Sequence, residues 1–212
     1  MLQVYTPVTT VLLRLVFSSF FLVIAGFAFK MLQRLQRKDV KEMLLLTLFQ
    51  PFLYFIGENY GVSLVSSTVA AVLVSTIPLF TPIAARYFFN ERVTWMNIAG
   101  ILVSIIGVIL VIVDTTFSFS ASTAGILFLV LAVASAIAYS VVAKRITDKY
   151  NVFSIIAYQN FIGIFYFLPF FLIFDYKSFI QITPSTDIIL SVLQLAFFAS
   201  TLAFMFFTYS IK

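Results

Sequence analysis

Neither cysteine nor histidine occurs anywhere in this chain of 212 residues. Disulfides, thiol nucleophiles and histidine proton relays are therefore excluded, together with most transition-metal sites. Charge is scarce as well. Asp, Glu, Lys and Arg make up only 10% of the residues, against roughly 25% in an average soluble domain. No phosphate-cradling loop of the GxxxxGK[ST] kind is present, so any driving force is a gradient and no cofactor is expected. All five Asp residues fall between apolar runs. Paired intramembrane carboxylates are thus missing, and no enzyme is expected. The start, "MLQVYTPVTT", carries no basic segment ahead of its apolar run, so no signal peptide is expected from it.

What fills the chain is hydrocarbon. Hydrophobic residues make up 62% of it, 27 of them Phe, and the mean hydropathy is +1.11. A soluble fold of this length cannot hide so much apolar surface, whereas lipid can. Apolar runs of about 20 residues cross the ~30 Å hydrocarbon layer as helices. Seven such runs are read: about Val8–Phe29, Met43–Tyr60, Val62–Arg86, Trp95–Val113, Thr123–Val142, Phe153–Phe174 and Ile188–Ile211. None alternates, so a β-barrel is not expected. The fold class is all-α, a polytopic transmembrane helical bundle.

Basic residues set the orientation. Lys30, Arg34, Arg37, Lys38 and Lys41, then Arg86 and Arg92, then Lys144, Arg145 and Lys149 occupy alternate connections. The intervening connections hold only Lys177. The first set is placed in the cytoplasm, which puts the N-terminus outside. The net charge of +5 serves topology, and no nucleic acid is expected.

A repeat is visible. "PVTTVLLRLVFSSFFLVIAGFAF" parallels "NVFSIIAYQNFIGIFYFLPFFLIF", with Arg14 opposite Gln159, and Asn59-Tyr60-Gly61-Val62 parallels Thr208-Tyr209-Ser210-Ile211. Spans one and six then match, as do two and seven, in opposite directions, the mark of an inverted-topology repeat. The repeats are placed at 1–114, lacking a first helix, and 115–212, lacking the last two. The seven helices would be the second to eighth of ten.

The stretch "SLVSSTVAAVLVSTIPLFTPIAARYFFNERVTWMNIAGILVSIIGVILVI" carries a further likeness. Its small-residue run Ser66-Ser67-Thr68-Val69-Ala70-Ala71, the Ile77-Pro78-Leu79 proline, the Glu91-Arg92 pair, Gly100 and Gly107 resemble the EamA-like domain of the drug/metabolite transporter superfamily. "GILFLVLAVASAIAYSVVAKRI" looks like the opening helix of that family's second repeat. The resemblance implies ten helices in two inverted repeats, a multi-pass protein of the cytoplasmic (inner) membrane, and alternating-access movement of small organic metabolites. The partners implied are membrane lipid, a small-molecule substrate and, as one arrangement, a second copy in a homodimer.

Candidate substrate-binding residues follow from polarity inside apolar runs. Arg14 and Glu58 are charged well within spans and fall at similar depth on successive helices. They suit a zwitterionic cargo such as an amino acid, or else an interfacial anchor and a snorkelling side chain. Asn59 and Gln159 are further substrate-binding candidates, Gln159 because it is the repeat image of Arg14; interhelical hydrogen bonding is the ordinary use of such groups. Pro78 and Pro82 are candidate gating residues, since proline frees backbone carbonyls. A retinal protein fails for want of a lysine in the last run. The remaining rival is a non-transporting helical subunit or truncated remnant that assembles with another chain.

Overall fold

Without water, a backbone in lipid must satisfy its own N–H and C=O groups, and helices do so segment by segment. A computed structural model describes residues 5–90, 92, 94–112, 122–182 and 184–211, and no strand occurs among them. Six helical runs are long and apolar enough to cross a membrane: Pro7–Ala28, Arg37–Leu64, Ser67–Phe89, Thr123–Thr147, Val152–Gln181 and Thr186–Ile211. A seventh helix, α6 (Trp95–Ile112), contains a shorter apolar stretch, Ile98–Gly107. The protein is all-helical and polytopic.

The boundary expected near residue 61 falls instead at Val65 and Ser66. Val65 is extended, and the Ser66 hydroxyl accepts from the Val69 amide at 3.3 Å, a side-chain cap that fixes where the next helix begins. Several runs are interrupted. Arg37–Leu64 consists of a 3-10 turn, helix α2 (Val40–Thr47), a π-type stretch Leu48–Leu53 and helix α3 (Tyr54–Leu64). Within it Gln50 leaves helical geometry altogether, at φ −147° and ψ 125°. Pro51 follows and has no N–H to offer, so the helix is broken near the middle of its span.

The chain forms two compact units, one from residues 1–52 and 142–212 and the other from 53–141. The first is organised by helix α1 (Pro7–Ala28) lying antiparallel to helix α8 (Val152–Phe170). Gly26 meets Phe153, Leu15 meets Gly163, and Thr9 meets Asp175 in the π-type turn between α8 and helix α9 (Tyr176–Gln181), so earlier positions on α1 match later ones along α8 and just beyond it. Gly163 is where three elements converge. A Cβ there would come within 3.0 Å of Leu15 Cδ1 and 3.1 Å of Pro51 Cγ. Phe52 stacks beside Tyr166, Phe167 and Phe170, which holds the broken helix against α8.

In the second unit α3 crosses helix α7 (Thr123–Thr147, which leaves this unit at Val142) at very close range. A Cβ on Gly57 would lie 2.6 Å from the Phe128 carbonyl oxygen and 2.8 Å from the Ala132 nitrogen. One turn on, Gly61 faces Leu129, and Gly125 faces Leu64 and Val65. Gly57 and Gly61 thus form a GxxxG face, which lets backbones approach where lipid supplies no hydrophobic drive. Val69, Ala70 and Leu73 of helix α4 (Ser67–Val74) pack on Leu129. Ala132 is the small residue opposite Gly57, whereas a Cβ on Gly107 would meet nothing within 4 Å among the described residues. Glu91 lies outside the described residues.

Candidate substrate-binding site

Polar groups inside an apolar bundle must find one another. In the first unit they do so near the middle of α1. Asn160 on α8, 1% exposed, donates from Nδ2 to Ser18 Oγ at 2.6 Å and to the Ser200 carbonyl at 3.1 Å. Thr201 Oγ1 donates to the Ala196 carbonyl at 3.0 Å, so the Ser18 hydroxyl is left to donate to Thr201 across 2.7 Å. The bonds therefore run in one direction, from Asn160 through Ser18 and Thr201 to a backbone oxygen. Arg14, half-buried and one turn before Ser18 on α1, donates from Nε to Ser200 Oγ at 3.2 Å. Gln159, adjacent to Asn160, is fully buried.

Ser200 and Thr201 reach this cluster because residues Leu195–Ala203 are wound as a π-helix between helices α10 (Thr186–Gln194) and α11 (Phe204–Ile211). Its wider turn shifts carbonyls out of α-helical register, and the Ser200 carbonyl is then available to a side chain. Such π segments recur at functional sites. A guanidinium at this depth costs about 2.5–3.5 kcal/mol on insertion scales, so several polar partners around Arg14 are physically required. The side chains of Thr10, Ser19 and Gln50 are also buried in this unit, and Thr10 Oγ1, Ser19 Oγ and Gln50 Oε1 have no hydrogen-bond partner among the described residues. An unpartnered buried polar atom costs about 1–3 kcal/mol.

The expected site residues are thus divided. Arg14 and Gln159 belong to the first unit and to the surroundings of the cluster, whereas Glu58 and Asn59 belong to the second. Glu58, half-buried, accepts from the Tyr54 hydroxyl at 3.0 Å, one turn earlier on α3. Asn59 turns its amide nitrogen back onto the Phe55 carbonyl at 2.7 Å. Pro78 sits in the first turn of helix α5 (Ile77–Phe89), where a missing N–H leaves no bond unmade. The interruption lies just before it, at Ser75 and Thr76, whose hydroxyls donate to the Val72 and Leu73 carbonyls. Pro82 is inside α5, and beside it Thr81 Oγ1 donates to the Ile77 carbonyl at 2.8 Å. Where α5 ends, Arg86 and Arg92 line an open cleft of about 740 Å³ with Ile83, Tyr87 and Asn90.

Both ends of the α1–α8 pair are fastened. At one, the Thr6 and Thr9 hydroxyls donate to Asp175 Oδ2, the latter across 2.9 Å, which sets a buried carboxylate at the N-terminus of α1. At the other, residues 31–36 form a strap across the start of α8. The amides of Gln33, Leu35 and Gln36 donate to Ser154 Oγ and to the Tyr158 and Tyr150 hydroxyls, while Asn151 Nδ2 donates to the Met31 carbonyl. Lys149 Nζ donates to Asp39 at 2.8 Å and Glu42 at 2.9 Å. The hydrogen bond with Asp39, then that with Glu42, raises the Lys149 pKa; burial pushes the Tyr150 phenol up.

Ser18, Ser200 and Thr201 were not legible as site residues. Short hydroxyls inside "FSSF" and "FFAST" read equally as small packing residues, and the π winding that converges them leaves no mark in composition.

Six helical runs of membrane-crossing length among the described residues, three of which share a buried polar cluster, define a polytopic membrane protein. The model of the EamA-like transporter family matches residues 1–113 and 123–212, and the chain belongs to that family. It is 28% identical to an uncharacterized transporter of Archaeoglobus fulgidus over 65% of this chain and 49% of that protein. It is 34% identical to the uncharacterized transporter YdfC of Bacillus subtilis, over 71% and 48% respectively. An S-adenosylmethionine uptake transporter of Rickettsia felis is 30% identical over 52% of this chain and 37% of its own length. The chain spans about half the length of the curated relatives it matches.

Proposed function

We propose that this chain serves in a secondary transporter that moves small organic metabolites, amino acids among them, by alternating access across the cytoplasmic membrane. The observation that carries the reading is the buried Asn160–Ser18–Thr201 chain with Arg14 beside it, a polar mid-depth arrangement in a chain with 10% charged residues. Family membership and transporter-named relatives support it. The relatives named for S-adenosylmethionine uptake agree with a zwitterionic cargo, since that molecule bears an α-ammonium and an α-carboxylate.

In this reading residues 1–114 and 115–212 are inverted repeats, an assignment supported by the opposite directions of α1 and α8 in one unit. The basic connections face the cytoplasm. Arg14 takes the cargo carboxylate, Glu58 its ammonium group or a proton, with Asn59 and Gln159 as further contacts and Pro78 and Pro82 at the gate. A second copy of the chain is the partner consistent with a homodimer.

Flux of labelled amino acids into vesicles containing the protein tests this. Arg14→Gln and Glu58→Gln are each expected to lower flux, and the second to flatten its pH dependence. Unchanged flux and unchanged pH dependence in both would sink the assignment of these two residues.

A further inference from the structure

The cargo site proposed above leaves Thr10, Ser19 and Gln50 unused, and of the three Gln50 stands where the backbone breaks. Gln50 is 9% exposed. It stands near the middle of the Arg37–Leu64 span, at the residue where that span abandons helical geometry. Its amide oxygen has no hydrogen-bond partner among the described residues.

Its level in the unit is fixed by its neighbour. Pro51 packs where Gly163 of α8 meets Leu15 of α1. Leu15 follows Arg14 directly, and Gly163 is one turn beyond Gln159 and Asn160. The helix interruption therefore lies at the depth of the polar cluster, not at a membrane surface. Interrupted helices at mid-depth are where transporters present polar groups to cargo, because irregular backbone in lipid is tolerated only in protein or beside a water-filled cavity. A glutamine with an unfilled acceptor there is costly for folding and useful only when something else fills it.

We infer that Gln50 lines a water-accessible recess at the helix interruption, and that its amide oxygen accepts a hydrogen bond from an N–H donor of the cargo. The inference rests on the transporter reading and narrows it. The ligand class is a small molecule bearing an ammonium or amide N–H. A hydroxy acid of the same shape is a poorer fit, because it presents a neutral, weaker donor.

The natural absence of cysteine supplies the test. Gln50→Cys introduces a single thiol, to be treated with 2-aminoethyl methanethiosulfonate in the full chain in vesicles. Lys38→Cys in the exposed 3-10 turn that opens the run sets the rate for an open thiol, and Leu46→Cys, fully buried four residues before Gln50 in the same run, sets that for a dry one. Labelling of Gln50→Cys well above the Leu46→Cys rate is expected. A rate equal to that of Leu46→Cys overturns the recess.

The donor is tested with L-alanine and L-lactate as probes against the wild type and Gln50→Met, which keeps the volume without the amide. L-Alanine is expected to bind the variant about tenfold more weakly, as loss of a charge-assisted hydrogen bond implies, with L-lactate little changed. Equal L-alanine affinity in the two proteins overturns the role of Gln50. Wild-type protein that binds neither probe overturns the amino-acid reading and the donor assignment together, while the labelling result still decides the recess.

Discussion

Asn160 Nδ2 stands 2.6 Å from Ser18 Oγ, and both side chains are buried, so α8 and α1 are joined near mid-depth by a bond with no water to compete for it. Asn160→Leu removes that bond and the one to the Ser200 carbonyl. Interhelical bonds in membranes average about 0.6 kcal/mol, so a loss of about 1 kcal/mol is expected on unfolding in detergent. Ser18→Ala also removes two bonds, those to Asn160 and Thr201, and should cost about as much.

Gly57 and Gly61 share one face of α3 but differ in what opposes them. At Gly57 an added Cβ would strike backbone, the Phe128 oxygen at 2.6 Å and the Ala132 nitrogen at 2.8 Å. At Gly61 the nearest atoms belong to the Leu129 side chain, which can rotate. Gly57→Ala is therefore expected to destabilise by about 1–3 kcal/mol, the usual cost of overpacking, and Gly61→Ala by less. Melting temperatures of the two variants check this order; a larger loss for Gly61→Ala would overturn Gly57 as the point where the α3 and α7 backbones touch.

The contact of Lys149 with Asp39 and Glu42 predicts a pH dependence with a definite sign. The Lys149 pKa is raised above its ordinary 10.5 by the Asp39 hydrogen bond first. Its contribution is thus fully present below 10.5 and fades as pH climbs through the raised value. The melting-temperature difference between wild type and Lys149→Met should be constant from neutral pH to about 10 and shrink above it. The lysine side chain is 42% exposed, so added salt should also shrink the difference.

The two prolines of α5 separate stability from motion. Pro78 occupies the first turn and Pro82 the interior, so Pro78→Ala is expected to leave the melting temperature nearly unchanged. Pro82→Ala restores an N–H facing the Pro78 carbonyl and should raise it. If Pro82 also serves the gate, the same substitution lowers flux while stabilising the protein; higher stability with full flux removes Pro82 from that role.

Much of the fold could be read from hydropathy, because lipid forces apolar runs into helices and leaves few alternatives. The expected Thr123–Val142 run is observed as Thr123–Thr147, and Val8–Phe29 as Pro7–Ala28. Interruptions were much harder to see. Gln50 reads as one more polar residue in an apolar run; Pro51 after it hints at an interruption, and the backbone angles place the break at Gln50 itself. The glycines of "YFIGENYG" show the same limit from the other side: Glu58 draws the eye by its charge, yet Gly57 and Gly61 decide how closely the helix packs. The convergence of Ser200 with Asn160 depends on residues 40 positions apart, which periodicity within one run cannot register.

The strap formed by residues 31–36 bears on how the protein is made. Its amides are held by Tyr150, Ser154 and Tyr158, more than a hundred residues later in the chain. During synthesis those amides have only solvent for company until α8 emerges, so this segment must wait in water with α1 already inserted. Assembly of the first unit is therefore a late event. α1 is committed to the membrane early, but it acquires its neighbour only after the whole of 53–141 has passed between them.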